Sequence, residues 1–192
     1  MGKIVISENV SLDGVFQDRP VRRASGTAAG SARSGTRTGK RGPRLNSREA
    51  LGAEALLLGA RSYEYFAARW PSRSGEWADR LNSLPKYVVS STLEDPGWNN
   101  STVLTGDVVI EVPELKQRVN GDIVVYASGQ LVHTLIEHDL ADELRLMIYP
   151  FVLEAGQRLF GQTRDKKPLR LLNARTVGDG LAFLTYQPVR DA

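Results

Sequence analysis

Three short stretches of this chain combine small residues with hydroxyls or a cation in a pattern that suits phosphate. They are Gly59-Ala60-Arg61-Ser62, Ser90-Ser91-Thr92 and Ala127-Ser128-Gly129-Gln130. Each follows an apolar or β-rich run, and the first and third precede helix-like periodicity. A helix start offers free N–H groups and the positive end of the helix dipole, which favour an anion. Gly129 would let backbone approach a ligand closely, and Arg61 would add a charge-assisted contact. Taken singly, each stretch reads equally well as an ordinary strand-to-helix turn. Together they favour a phosphate-bearing cofactor. The dinucleotide glycine fingerprint, the phosphate-loop lysine motif and the hydrolase serine elbow are all absent.

The remaining candidates are sparser. Asp13 stands in Ser11-Leu12-Asp13-Gly14, where its carboxylate either caps the turn at Gly14 or faces a cleft. His133 and His138 are five residues apart, on different faces of one helix, and a metal-binding pair prefers four. Asp139, Asp142 and Glu143 read as a solvated turn. The chain has no Cys, which excludes a disulfide framework, a thiolate metal site and a cysteine nucleophile.

These residues need elements to position them. Residues 3–7, 55–58, 86–90, 102–104 and 122–126 read as strands, and Leu144, Leu146 and Ile148 alternate as a half-buried strand should. Residues 48–54 contain helix formers. Tyr63, Phe66, Ala67 and Trp70 fall on one helix face that Pro71 ends. Leu131, Val132, Leu135 and Ile136 mark a second helix with Ser128 as its N-cap. Residues 169–174 and 181–186 flank Gly178-Asp179-Gly180 as a hairpin. Alternating strands and helices closed by a hairpin predict an α/β sandwich, with a mainly parallel sheet and an antiparallel edge. In such a sheet the three stretches gather on the carboxyl edge, where ligands bind.

The length of 192 residues fits one domain with a real core, and 41% apolar with 24% charged residues is ordinary globular composition. A net charge of +3 is misleading. Residues 20–44 hold Arg22, Arg23, Arg33, Arg37, Lys40, Arg41 and Arg44 and no acid. Setting those seven aside leaves 18 bases against 22 acids, a net of −4. The segment is rich in Gly, Ser, Thr and Ala, so it reads as a basic low-complexity insert unable to offset its ordering entropy. It could be an arm for nucleic acid, but no aromatic residue interleaves its charges to stack on bases, which argues against that partner. No apolar run approaches the roughly 20 residues of a membrane-spanning helix, and no secretory signal follows Met1. The expectation is a cytoplasmic protein without a membrane partner.

At residues 6–16 (ISENVSLDGVF), 56–71 (LLLGARSYEYFAARWP), 84–93 (LPKYVVSSTL) and 122–160 the chain resembles a known family. It is similar to the dihydrofolate-reductase-like proteins grouped with the reductase domain of the bifunctional riboflavin-biosynthesis deaminase/reductase. The resemblance covers everything except about residues 19–46, and implies a dihydrofolate-reductase-like three-layer sandwich. It implies NADPH as cofactor, with hydride transfer to a pterin- or ribosylaminopyrimidine-like small molecule, and a homodimer. By that resemblance Gly59, Arg61 and Ser62 lie at the NADPH pyrophosphate, and Ser90, Ser91 and Thr92 near the adenosine phosphates. Ala127, Ser128, Gly129 and Gln130 match the Gly-rich turn under the pyrophosphate. Asp13 matches a catalytic-site acid beside substrate and nicotinamide. Ser91 stands where the family carries Arg. A scaffold that keeps the nucleotide site but has lost the chemistry is the alternative reading.

Relatives carry an ordered aromatic stretch where this chain has residues 24–33. Read one base early, codons for those residues can encode Gly-Phe-Arg-His-Gly-Gly-Trp-Phe-Gly-Gln. This reading invokes two compensating frameshifts bracketing about residues 19–44. A chain so altered would lack part of its substrate wall and be a weak reductase.

Overall fold

The computed structural model describes residues 1–17, 52–161, 164–178 and 180–190. The basic insert at 20–44, and with it the frameshift reading, lies outside the described residues.

An eight-stranded sheet organises the chain. Its strands are β1 (Lys3–Ser11), β3 (Ala53–Gly59), β4 (Lys86–Val89), β5 (Ser101–Leu104), β6 (Asp122–Tyr126), β7 (Glu143–Tyr149), β9 (Leu169–Val177) and β10 (Leu181–Pro188). The spatial order is β5-β4-β3-β6-β1-β7-β10-β9. Every pair from β5 to β7 is parallel, and β10 joins β7 and β9 antiparallel. Short β2 (Val15–Gln17) and β8 (Gln157–Arg158) form a separate two-stranded ribbon. Four helices complete the described elements: α1 (Ala60–Ala67), α2 (Glu76–Ser83), α3 (Val108–Arg118) and α4 (Gly129–Glu137).

Parallel strands covered on both faces carry unbroken apolar runs. Ile4, Val5 and Ile6 of β1, Leu56, Leu57 and Leu58 of β3, and Ile123, Val124 and Val125 of β6 are all buried. Alternate residues of each run enter different cores. One face packs under α3 and α4 through Val112, Leu115, Leu131, Val132 and Leu135. The other packs under α1 and α2 through Tyr63, Ala78 and Leu81, with Trp70 and Trp98 beside them. The result is the three-layer α/β sandwich that the alternation predicts.

Several boundaries differ from the sequence reading. The helix formers at 53–54 belong to β3, because Ala53 pairs with Asp122 at the start of the β6 ladder. Helix α1 ends at Ala67, before Trp70, whose ring is instead held by Trp77 at 4.4 Å between centroids. Helices α2 and α3 escape the periodicity. In α3 a β-branched start and the interior Pro113 hide a helix that Asp107 caps by accepting the Val109 N–H at 2.9 Å. The C-terminal hairpin runs three residues further into β9 than expected. Its Gly178 and Gly180 both have positive φ (56° and 137°), while Asp179 lies outside the described residues.

Lys86 opens β4 fully buried. Its ammonium donates to the carbonyls of Leu84 (2.7 Å), Asn82 (2.9 Å) and Asn99 (3.1 Å) and lies 4.3 Å from the Trp98 ring centre. The end of α2 is thereby fastened to the loop that leads into β5.

Candidate functional site

Because β5, β4, β3, β6, β1 and β7 are parallel, their carboxyl ends share one edge. All the proposed site residues lie there. Gly59 ends β3, and Ala60, Arg61 and Ser62 begin α1. Ser90, Ser91 and Thr92 follow β4. Ala127 and Ser128 follow β6, and Gly129 and Gln130 begin α4. Asp13 follows β1.

The turns after β3 and β6 are joined by hydrogen bonds. The Gly59 N–H donates to Ser128 Oγ at 3.0 Å, and the Ser128 N–H donates to Ser62 Oγ at 2.8 Å. Ser128 Oγ in turn donates to the Tyr126 carbonyl at 3.0 Å. Ser128 therefore stands at the N-cap position without capping α4; its hydroxyl bridges strands instead. Ala127 and Ser128 are both left-handed, at φ 52° and 62°, which costs free energy at non-glycine residues. The bridge from Gly59 and Ser62 holds them there.

This arrangement leaves two helix starts side by side with no side-chain cap and no acid in the first turn. The other two helices differ: α2 has Glu76 and Asp79 in its first turn, and α3 has the Asp107 cap and Glu111. Uncapped N–H groups from adjacent helices, with exposed Arg61 on one of them, suit a ligand with more than one phosphate. The residues present fit a dinucleotide on this ground.

Gly129 has a different task from the one its sequence suggests. A Cβ there would stand 2.3 Å from Phe16 Cζ and 2.7 Å from Gln157 Nε2. The close approach belongs to the β2–β8 ribbon, which lies over the start of α4. At the β4 turn, Ser90 Oγ accepts the N–H groups of Thr92 (3.2 Å) and Leu93 (3.0 Å), and Ser91 and Thr92 are exposed.

Asp13 is a clamp. Its carboxylate accepts the Ser11 hydroxyl at 2.6 Å and the N–H groups of Leu153 (3.1 Å) and Glu154 (3.0 Å). Arg158 donates to the Asp13 carbonyl and lies 3.9 Å from its carboxylate. The Ser11 hydrogen bond, helped by the Leu153 and Glu154 N–H groups, holds the Asp13 carboxyl below the usual carboxylate range. It is ionised at neutral pH, which suits an acceptor rather than a proton donor. A lowered folded-state pKa means that the clamp stabilises above the unfolded carboxyl value of 3.8 and is lost as pH falls through the folded one. Asp13→Asn is expected to speed amide hydrogen exchange at Leu153 and Glu154 at neutral pH. Unchanged exchange there would show that the loop is held by other contacts.

The face of β1, β6 and β7 on the α1–α2 side adds residues that the sequence reading missed. Strand register aligns Tyr126, Ser7 and Arg145 in one row, and Asn9, Met147 and Phe183 in the next. Ser11 pairs with Tyr149 one step nearer the edge. The core cluster under α1 and α2 draws on β1, β3, β4 and β6 and on no residue of β7 or β10. Burial pushes the Tyr149 hydroxyl above its usual range, so it stays protonated and able to donate. The polar alternation Ser7, Asn9, Ser11 is the signal that marks this face in sequence.

Two open recesses lie elsewhere. One of about 570 Å³ is lined by Trp70, Arg73 and Trp77, and another of about 350 Å³ by His133, His138 and Phe160. His133 Nε2 is 3.2 Å from the Arg158 carbonyl, and no group of three or more metal-ligating side chains occurs among the described residues. No helix among them is long and apolar enough to cross a membrane.

Solved structures share this architecture. A putative riboflavin biosynthesis protein from Shewanella sp. PV-4 superposes with a TM-score of 0.72 at 19% identity, over 98% of this chain and 99% of its own. The diaminohydroxyphosphoribosylaminopyrimidine deaminase/5-amino-6-(5-phosphoribosylamino)uracil reductase of Thermotoga maritima gives 0.65 at 12% identity, over 98% of this chain and 57% of its own. Enterococcus faecalis dihydrofolate reductase, complexed with NADP(H) and RAB-propyl, gives 0.61 at 12% identity, over 97% and 96%. These likenesses establish a dihydrofolate-reductase-like fold. The family model described as the RibD C-terminal domain matches residues 2–183, and the chain belongs to that family.

Proposed function

We propose that this protein is a reductase that takes a hydride from a reduced nicotinamide dinucleotide and delivers it to a pterin- or ribosylaminopyrimidine-like heterocycle. Family membership supports a reductase of the riboflavin-pathway kind. The observation that carries the reading is the bonded pair of uncapped, acid-free helix starts after β3 and β6. NADPH is the cofactor that the family resemblance implies.

The cofactor, when bound, supplies the hydride. The chain supplies position. The first-turn N–H groups of α1 and α4, with Arg61, hold phosphate. Ser62 and Ser128 fix those two turns against each other, and Gly129 lets Phe16 and Gln157 close over one of them. Asp13 fixes the loop after β1, beside the face that carries Asn9, Tyr126, Met147 and Tyr149. That face suits a flat polar ring, with Asn9 exposed and the Tyr149 hydroxyl able to donate. Holding the acceptor carbon close to the nicotinamide supplies most of the catalysis such a reaction requires. We also propose a homodimer. Edge strand β9 supports it, because Leu169, Leu171 and Leu172 are all exposed there.

Arg61→Ala is expected to weaken dinucleotide binding by about 1–3 kcal/mol, the value of a charge-assisted hydrogen bond, as measured by titrating NADH and NADPH. An unchanged dissociation constant would remove Arg61 from the site. Oxidation of the reduced dinucleotide in the presence of pterins and aminopyrimidines separates an enzyme from a nucleotide-binding scaffold that has lost its chemistry.

A further inference from the structure

Strand order decides what lies on either side of the paired turns. Next to β6 comes β1 with Asp13, whereas β4 and then β5 lie beyond β3. A dinucleotide whose phosphates sit at the paired turns and whose nicotinamide faces Asp13 therefore lays its other ribose along the ends of β4 and β5.

Along the stretch from β4 to α3 the charge has one sign. Between Lys86 and Lys116 the sequence holds Glu94, Asp95, Asp107, Glu111 and Glu114, and no Lys or Arg. Glu94 and Asp95 follow directly on the β4 turn and are exposed. Asp107 and Glu111 open α3 just after β5. The turn itself offers hydroxyls at Ser91 and Thr92, both exposed, while the Ser90 hydroxyl already serves the N–H groups of Thr92 and Leu93. A ribose 2′-phosphate carries nearly two negative charges and needs cationic donors. A free ribose 2′-hydroxyl is a donor that carboxylates and hydroxyls accept, which is how acidic residues select the unphosphorylated dinucleotide. Carboxylates beside a 2′-phosphate repel it.

We propose that the Ser91–Thr92 turn, with Glu94 and Asp95, selects a dinucleotide with a free ribose 2′-hydroxyl over its 2′-phosphorylated form. The preference is thus for NADH over NADPH. This rests on the reading that the paired turns hold the phosphates of a nicotinamide dinucleotide, with its nicotinamide towards Asp13 as the family resemblance implies.

The test is calorimetric titration of the full chain with NADH and NADPH, repeated with Ser91→Arg and with the double variant Glu94→Gln/Asp95→Asn. NADH is expected to bind at least about tenfold more tightly than NADPH, the size of one lost or repelled charge contact. Each variant should shift the NADPH-to-NADH affinity ratio by about tenfold towards NADPH. Equal or tighter binding of NADPH by the unaltered chain overturns the selectivity and leaves the dinucleotide site standing. Failure of both to bind to a chain shown by circular dichroism to be folded overturns the selectivity together with the reading beneath it.

Discussion

Replacing Lys86 with Met is expected to lower the free energy of unfolding by about 3 kcal/mol, read by urea denaturation. The methionine stem fills the same space. It leaves the carbonyls of Leu84, Asn82 and Asn99 without their shared donor, and the Trp98 ring without its cation. Trp98 is itself fixed on both sides: its backbone N–H donates to the Tyr63 hydroxyl at 2.9 Å and its indole N–H to Asn82 Oδ1 at 2.8 Å. Loss of the ammonium therefore loosens α2 and the loop before β5 together. Burial pushes Lys86 from 10.5 down to about 8. Between those values the unfolded chain keeps a proton that the folded chain has released, so this group makes stability rise with pH across that window and adds no slope below it. The Met variant should lack that rise. A loss below about 1 kcal/mol would mean that water or backbone movement satisfies the three carbonyls.

The second large effect is expected at Ser128. Ser128→Ala removes the acceptor of the Gly59 N–H and the donor to Tyr126. It also retains a Cβ at a left-handed position. It should cost about 2 kcal/mol of stability and weaken dinucleotide binding about tenfold, since the two phosphate-facing turns keep only the Ser128 N–H to Ser62 Oγ bond of their two ties. Ser128→Gly separates the contributions. It loses the same hydrogen bonds but relieves the left-handed strain, so it should recover part of the stability and none of the affinity. Wild-type affinity in both variants would show that the bridge has no part in the site.

Fold and site were legible to different degrees, for physical reasons. Parallel central strands announce themselves, because burial on both faces demands runs such as residues 55–58 and 123–125. Helix α3 did not, since its Pro113 and β-branched first turn break the usual pattern. The turn residues could be placed on the carboxyl edge from local sequence. What joins them could not. The Ser128 hydroxyl reads as a cap in one dimension, and becomes a bridge only because β6 lies beside β3 and brings it to Gly59, 69 positions earlier. Local sequence leaves Asp13 open between capping its own turn and facing a cleft. Its actual partners at Leu153 and Glu154 are some 140 residues away. Ribbon strand β8, only two residues long, carries no periodicity at all. Lys86 stands at the start of a β-rich run in the sequence, and only the fold reveals three carbonyls converging on it.

We propose that the paired starts of α1 and α4 hold the phosphates of a nicotinamide dinucleotide. Amide chemical shifts of the isotope-labelled chain, recorded during titration with NADH, test it most directly. Hydrogen bonds from N–H to phosphate move amide resonances strongly. The largest shifts are expected on Ala60, Arg61, Ser62, Gly129, Gln130 and Leu131, with smaller ones at Ser91 and Thr92. Saturable shifts confined to other parts of the molecule, or none at concentrations where a control dinucleotide-binding protein is saturated, would contradict it.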